Sequence, residues 1–402
     1  MESETSRKPR ILIPGIDLVR FFAAVFVVFF HYAYLSWNDK IYPTGIRAVV
    51  DYPTTYPELI PFSWWGWVGV EMFFVISGFV IAISAENRTP NQFFRARLLR
   101  LAPALWFFAT LALVVTFIYA QLSTGETLLY YINSIILFPI GPWLDGVYWT
   151  LTVEIIFYGL IFTLLLAKRP DLLIPVTFIW GAISSLFWIS CFVDNWGVFP
   201  EVISTILETL RMRYFPRILL LTTGPYFVLG LMIYLIYRQG FTPARLALAA
   251  TAMFAGEIGI YHIGTLMVSS PNITGSAFVP CFVWTAAVAV IIGSIMLGQR
   301  MSETSSPRTL AFIRNLGLTT YPLYLFHNIS GGFVFGHILG LGINRFVGLI
   351  IALTFAIGVS YVFAVYFERP LRNHIATAYD AVYSTLQKML NRTKMQPQIP
   401  SE

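Results

Sequence analysis

Long, uninterrupted apolar blocks are the first constraint on this chain. They run about 17 to 25 residues, the length a helix needs to cross the ~30 Å hydrocarbon core of a bilayer. Only 11% of the 402 residues are charged, against roughly 25% in soluble domains. A soluble fold would therefore leave far too much apolar surface in water. The ten-residue alternation that marks a transmembrane barrel is absent. The chain reads as an all-α, polytopic transmembrane helix bundle. Its first apolar block, Ile16 to Leu35, is too long for the core of a signal peptide and lacks a small-residue cleavage site.

About ten spans are expected, at 16–36, 64–84, 101–121, 147–167, 171–192, 218–237, 246–267, 277–297, 316–338 and 344–366. The pI is near 9.2, but the basic residues argue for topology rather than for nucleic acid, because they cluster in alternate loops as the positive-inside rule requires. Arg7, Lys8 and Arg10 place the N-terminus in the cytoplasm. The segments around Arg88–Arg100, Lys168–Arg169, Arg238–Arg245 and Arg300–Arg314 follow, and Arg369, Arg372, Lys388, Arg392 and Lys394 place the C-terminus there too. The loop at 37–63, with Asp39, Asp51 and Glu58 against Lys40 and Arg47, belongs outside. The stretch 128–140 is apolar but short and ends in prolines. Counting it as a span would reverse every later loop, so it is expected to be interfacial or re-entrant. Arg211, Arg213 and Arg217 in the outer loop at 193–217 break the charge rule. They suit either a solvated face or an anionic acceptor. Trp64, Trp65 and Trp67 are expected in an outer aromatic belt. Cys191 and Cys281 give no zinc pattern, so no metal is expected. A single bridge between them is compatible with both lying near the outer ends of their helices.

Ionisable residues inside a membrane are expensive and point to function. The first span holds Asp17, Arg20 and His31. Eleven residues at ~100° each make three turns plus ~20°, so Arg20 and His31 share a face about 16 Å apart along the axis. Asp17 and Arg20, at i and i+3, can pair, or both can snorkel at the inner interface. Glu71 and Glu154 lie about a third of the way down spans that descend from outside, at a depth that reaches His31, and His327 lies near the middle of the ninth span. A histidine can exchange a proton near neutral pH, and a carboxylate can orient it. Two histidines and two acids on four helices read as a polar active-site core, with Glu154 as the acid to orient a histidine or a helix. Before the third span, FFRARLLRLAPALW sets Arg97 and Arg100 on one helical face with Arg95 close by. Guanidinium forks there suit phosphate oxygens, although topology alone also places arginines at such a position.

In order along the chain, these segments resemble the acyltransferase 3 family of membrane acyltransferases, which includes O-acetylases of bacterial polysaccharides. The features are the Arg20-to-His31 spacing, GVEMFFVISGFVI at 69–81, Arg97-x-x-Arg100, YWTLTVEIIFYGLIF at 148–162, TTYPLYLFHN at 319–328 and FERPLR at 367–372. The resemblance implies a transmembrane acyltransferase domain over 1–372 and a short polar cytoplasmic tail over 373–402. It also implies an acyl-CoA donor, commonly acetyl-CoA, and a saccharide or glycan hydroxyl as acceptor at the extracytoplasmic face of a bacterial inner membrane. By the same resemblance His31 is the catalytic residue with Arg20 at the reaction centre, and Arg97 and Arg100 bind the donor. Many members carry an added hydrolase-like domain that is not seen here, so the bundle itself would transfer the group or use a separate partner. His31 would act as a general base, with Arg20 or a backbone dipole stabilising the oxyanion, or would carry the acyl group as an intermediate. A homodimer is possible. The competing reading is a transporter or a flippase of lipid-linked saccharide; no inverted repeat supports it. A receptor or scaffold would leave His31 and Glu154 without a purpose.

Overall fold

A computed structural model describes residues 13–38, 40, 42–50, 54–119 and 122–394. Arg7, Lys8, Arg10, Asp39 and Asp51, which entered the charge reading, lie outside these residues, as do the side chains of Arg392 and Lys394. Of the described residues 82% are helical, and no strand occurs among them. The helices are α1 (Pro14–Phe30), α2 (Gly69–Ala85), α3 (Pro90–Tyr119), α4 (Thr124–Ile135), α5 (Trp149–Leu166), α6 (Leu173–Asp194) and α7 (Glu201–Met212). They continue with α8 (Gly224–Gln239), α9 (Pro243–Val268), α10 (Phe278–Thr304), α11 (Pro307–Phe326), α12 (Ile329–Gly340), α13 (Arg345–Val362) and α14 (Glu368–Lys394). Local sequence sets many of their starts. Ser123 and Glu126 form a capping box before α4, and Thr242 and Ser306 cap α9 and α11, each followed by a proline in the first turn.

Contacts between distant loops sort the helix ends into two layers. At one end Glu86 meets Arg238, Arg95 meets Asp380, and Arg100 faces Glu368; we call this the basic end. At the far end Asn38 meets Asn272, Thr44 accepts from the Gly146 amide at 2.8 Å, and Arg345 meets Glu58 at 2.6 Å. Following the chain between these layers gives ten passes. Eight of the helices are long and apolar enough to cross a membrane by length and composition. The 16-residue α8, buried along most of its length, and the pair α11–α12 make up the ten.

The stretch expected to be interfacial or re-entrant folds back on itself without reaching the basic end. After α3 reaches the far end, α4 runs back along it: the Tyr131 hydroxyl meets that of Thr110, and the Trp106 indole donates to the Ile135 carbonyl. The chain then turns and climbs again, held by bonds from Asn133 to the Pro142 carbonyl, from Trp143 to the Phe138 carbonyl, and from the Leu144 amide to the Ser134 hydroxyl. A 12-residue helix spans only ~18 Å, half a crossing.

Several expectations need correction. The third span begins at Pro90 rather than 101, so Arg95, Arg97 and Arg100 ride on the transmembrane helix itself. The ninth span is broken: α11 ends at Phe326 and α12 begins at Ile329. Trp64 and Trp67 are buried in the protein rather than set in a lipid-facing belt. Trp64 lies against Gly275, and Trp67 lines a cavity near the far end. Cys191 and Cys281, between which the sequence merely allows a bridge, are unbridged. The polar tail is helical as far as Lys394, and α14 lies against α3 through Arg95–Asp380 and a Tyr379–Asn91 hydrogen bond. The centre of the bundle is the contact of α2 with α8. A methyl group on Gly78 or Gly230 would overlap the opposing backbone, the kind of close approach by which small residues bring membrane helices together.

Candidate active site

Both histidines sit where a helix departs from regular geometry. α1 is regular from Arg20 to Phe30, which preserves the shared face, and then widens into a π-turn over His31–Leu35. Such turns are rare and frequent at functional sites. The break after α11 places His327 at its C-terminus. Tertiary contacts make this break. Asn328 donates to the Thr44 carbonyl at 3.1 Å and to the Asp145 carboxylate at 2.7 Å, and Asp145 also accepts from the Ile329 amide at 3.3 Å. A third bond, from the Val147 amide at 3.1 Å, completes the shell of Asp145, which is fully buried. The freed backbone of α12 is thus capped by a side chain from the turn before α5.

The imidazoles of His31 and His327 meet edge to face with ring centres 4.6 Å apart. In each ring Nδ1 lies against a backbone carbonyl: Val27 at 2.8 Å for His31, Tyr324 at 2.7 Å for His327. A carbonyl can only accept, so each Nδ1 carries the proton and each neutral ring keeps its lone pair on Nε2. Nε2 of His327 is buried without a hydrogen-bond partner.

His31 lines a cavity of about 550 Å³ near the far end, together with Glu71, Trp67, Trp149, Tyr324, Asn328, Arg211, Arg217 and His262. One carboxylate oxygen of Glu71 is buried and unpartnered. Toward the basic end lies a second pocket of about 60 Å³, lined by Arg20, Ser77, Thr150, Glu154, Tyr321 and Tyr324. Val70 and Tyr324 line both. The Tyr324 hydroxyl bonds to that of Thr150 at 2.8 Å, which fixes this shared wall.

Glu154 belongs to the smaller pocket, not to the histidines. It accepts from Ser77 at 2.7 Å and from Tyr158 at 2.6 Å. It thereby ties α5 to α2 and orients a helix rather than an imidazole. The carboxylate of Asp17 lies against Gly317 and does not close an ion pair on Arg20. The two pockets continue toward the basic end through aromatic rings. Arg97 lies 5.5 Å over the Tyr158 ring and Arg100 5.6 Å over that of Tyr321. Nε of Arg97 and one terminal nitrogen of Arg100 are buried without hydrogen bonds, with Glu368 3.7 Å from Arg100. Arg95 differs from the other two. Its guanidinium is closed on Asp380 by bonds of 2.8 and 2.6 Å, so it does not join Arg97 and Arg100.

A family model for an acyltransferase domain, that of acyltransferase 3, matches residues 13–366. The chain belongs to the acyltransferase 3 family. Searches of curated proteins and of solved structures gave no match. This membrane acyltransferase thus brings Arg20, His31, Glu71 and Glu154 to two adjoining pockets, with His327 packed behind His31 and lining neither pocket, and Arg97 and Arg100 toward their basic side. Sequence reasoning missed Asp145 and Asn328. Asp145 was legible by the rule applied elsewhere, a lone acid in an apolar stretch, but it fell in a loop where an acid excites no comment.

Proposed function

We propose that this acyltransferase moves an acyl group, in the first instance acetyl, from cytoplasmic acyl-CoA to a saccharide hydroxyl on the outer side of a bacterial inner membrane. The observation that carries the reading is the two-tiered core: open guanidinium groups at the basic end lead through the Arg20 pocket to the cavity of His31. The basic end is the cytoplasmic one. Arg97 and Arg100 hold the donor phosphates, to which guanidinium forks are matched, and the thioester extends past Arg20. Nε2 of His31 takes the proton of an acceptor hydroxyl as its oxygen attacks the thioester carbonyl. Arg20 stabilises the oxyanion. The carbon–sulfur bond then breaks, and the thiolate takes up the proton. His327 packs against the His31 ring and fixes its plane, and Glu71 binds and orients the acceptor hydroxyls.

The test uses sealed proteoliposomes of known orientation enclosing glycans extracted from the membranes of the producing cells, with radiolabelled acetyl-CoA added at the basic end. Label on the enclosed glycan is the expected result. Thioester turnover without labelled glycan, or no turnover from either side, overturns the reading.

A further inference from the structure

The cavity around His31 carries a charge that the transfer chemistry does not use. Arg211, from the last turn of α7, and Arg217, from the short turn Phe215–Ile218, both line it. Among the described residues Arg217 closes no ion pair within 4.0 Å; its guanidinium carbon stands over Trp149, 5.0 Å from the ring centre. Arg211 has only Glu208, one turn back on its own helix and 4.0 Å away, and its Nε is buried without a hydrogen bond. Nε2 of His262 in the same wall is also buried and unpartnered. Against these, Glu71 is the one carboxylate among the described residues lining the cavity. Two guanidinium groups and one acid leave an excess positive charge at the far end, where the loop pattern elsewhere avoids it. Partly desolvated cations without anions are costly, and a bound anion would relieve that cost. Trp67 and Trp188 also line the cavity, beside the Trp149 ring that Arg217 covers, and indoles combine a large apolar body with one polar N–H, a surface suited to a sugar ring.

We infer that the acceptor is an acidic saccharide, whose carboxylate or phosphate is held by Arg211 and Arg217 while a hydroxyl of the same molecule faces His31. This rests on the reading of the site as an acyltransferase acting on saccharides. Carboxylate and phosphate offer these forks the same paired oxygens. Arg213, exposed beyond the cavity, has no part in the binding.

The test works on a mixture, so the acceptor need not be identified first. Purified protein is incubated with radiolabelled acetyl-CoA and the total glycans from membranes of the producing cells, and the labelled products are separated by anion exchange. Label in the acidic fraction is expected. Phosphatase treatment and chemical reduction of carboxyl groups then tell phosphate from carboxylate by which one moves the label to the neutral fraction. For the acidic product, Arg211→Gln and Arg217→Gln should each raise the half-saturating acceptor concentration about tenfold or more. They should also flatten its salt dependence, with the Lys variants restoring part of both. Label confined to neutral glycans overturns this inference and leaves the acyltransfer reading standing. So does an acidic product whose half-saturation and salt dependence ignore both substitutions in protein that elutes as the parent does. Label in neither fraction overturns both.

Discussion

The two ends of the bundle treat charge in opposite ways. At the basic end Arg95 and Arg238 are closed on Asp380 and Glu86, in contacts largely open to solvent. In the far cavity Glu71 and His262 keep buried polar atoms without partners, as His327 does behind His31, and Arg217 stands over a ring instead of meeting a carboxylate. Exposed pairs contribute little to stability and mainly fasten a surface. Buried open groups cost stability and persist where a ligand completes them. Arg97 and Arg100 stand at the basic end but face tyrosine rings, Arg97 with its Nε free of hydrogen bonds and Arg100 with a terminal nitrogen 3.7 Å from Glu368, beyond hydrogen-bond reach. On the function proposed above, open and closed, rather than inner and outer, is the division that would separate working charges from structural ones.

The largest test of that division is His31. His31→Ala should lower acyl transfer by ~10²–10⁴-fold, the range for a general base, while the protein still inserts and purifies. A rate within a few-fold of the parent would remove His31 from the chemistry. Next come the open arginines. Arg97→Ala and Arg100→Ala should each weaken the donor by about 1.5–3 kcal/mol, roughly 10- to 150-fold in the half-saturating acyl-CoA concentration. Normal binding of a CoA analogue to both variants would assign them to topology. Asp145→Ala sharpens the contrast from the side of stability. It strips three donors of their acceptor and should cost about 1–3 kcal/mol, read as a lower melting temperature in detergent. The rate should fall with it, because the break that presents His327 loses its cap. The smallest effect belongs to the closed pair. Arg95→Ala should change donor half-saturation by less than about threefold, since an exposed pair holds little energy. A loss as large as that of Arg97 would erase the distinction.

Much of this was legible in the sequence, and the exceptions have physical causes. The helical spacing put Arg20 and His31 on one face because α1 stays regular between them. The re-entrant stretch announced itself by its length and its prolines. The break at His327 did not, because the apolar pattern runs on across it. It is imposed from Thr44 and Asp145, partners brought close only by the fold. Depth along a span placed Glu154 level with the histidines. The side chain instead found Ser77 and Tyr158, and a count of residues from a membrane surface does not reveal which way a carboxyl group turns. Trp64 and Trp67 followed composition into a lipid belt, whereas packing drew them inward.

The widened turn that starts at His31 also acts as a splice in the helix. It takes up one residue more than a regular turn, and one residue amounts to ~100° of rotation and ~1.5 Å of rise. Everything before it, Arg20 included, keeps its phase, and everything after it, from Tyr32 to the Asn38 contact with Asn272, is set by where the extra residue falls. Removing one residue between 32 and 35 would let the turn close to regular α geometry, with the helix on either side keeping its direction and Arg20 still facing the core. The widened turn is thus a place where this helix can gain or lose a residue without moving the loop beyond it.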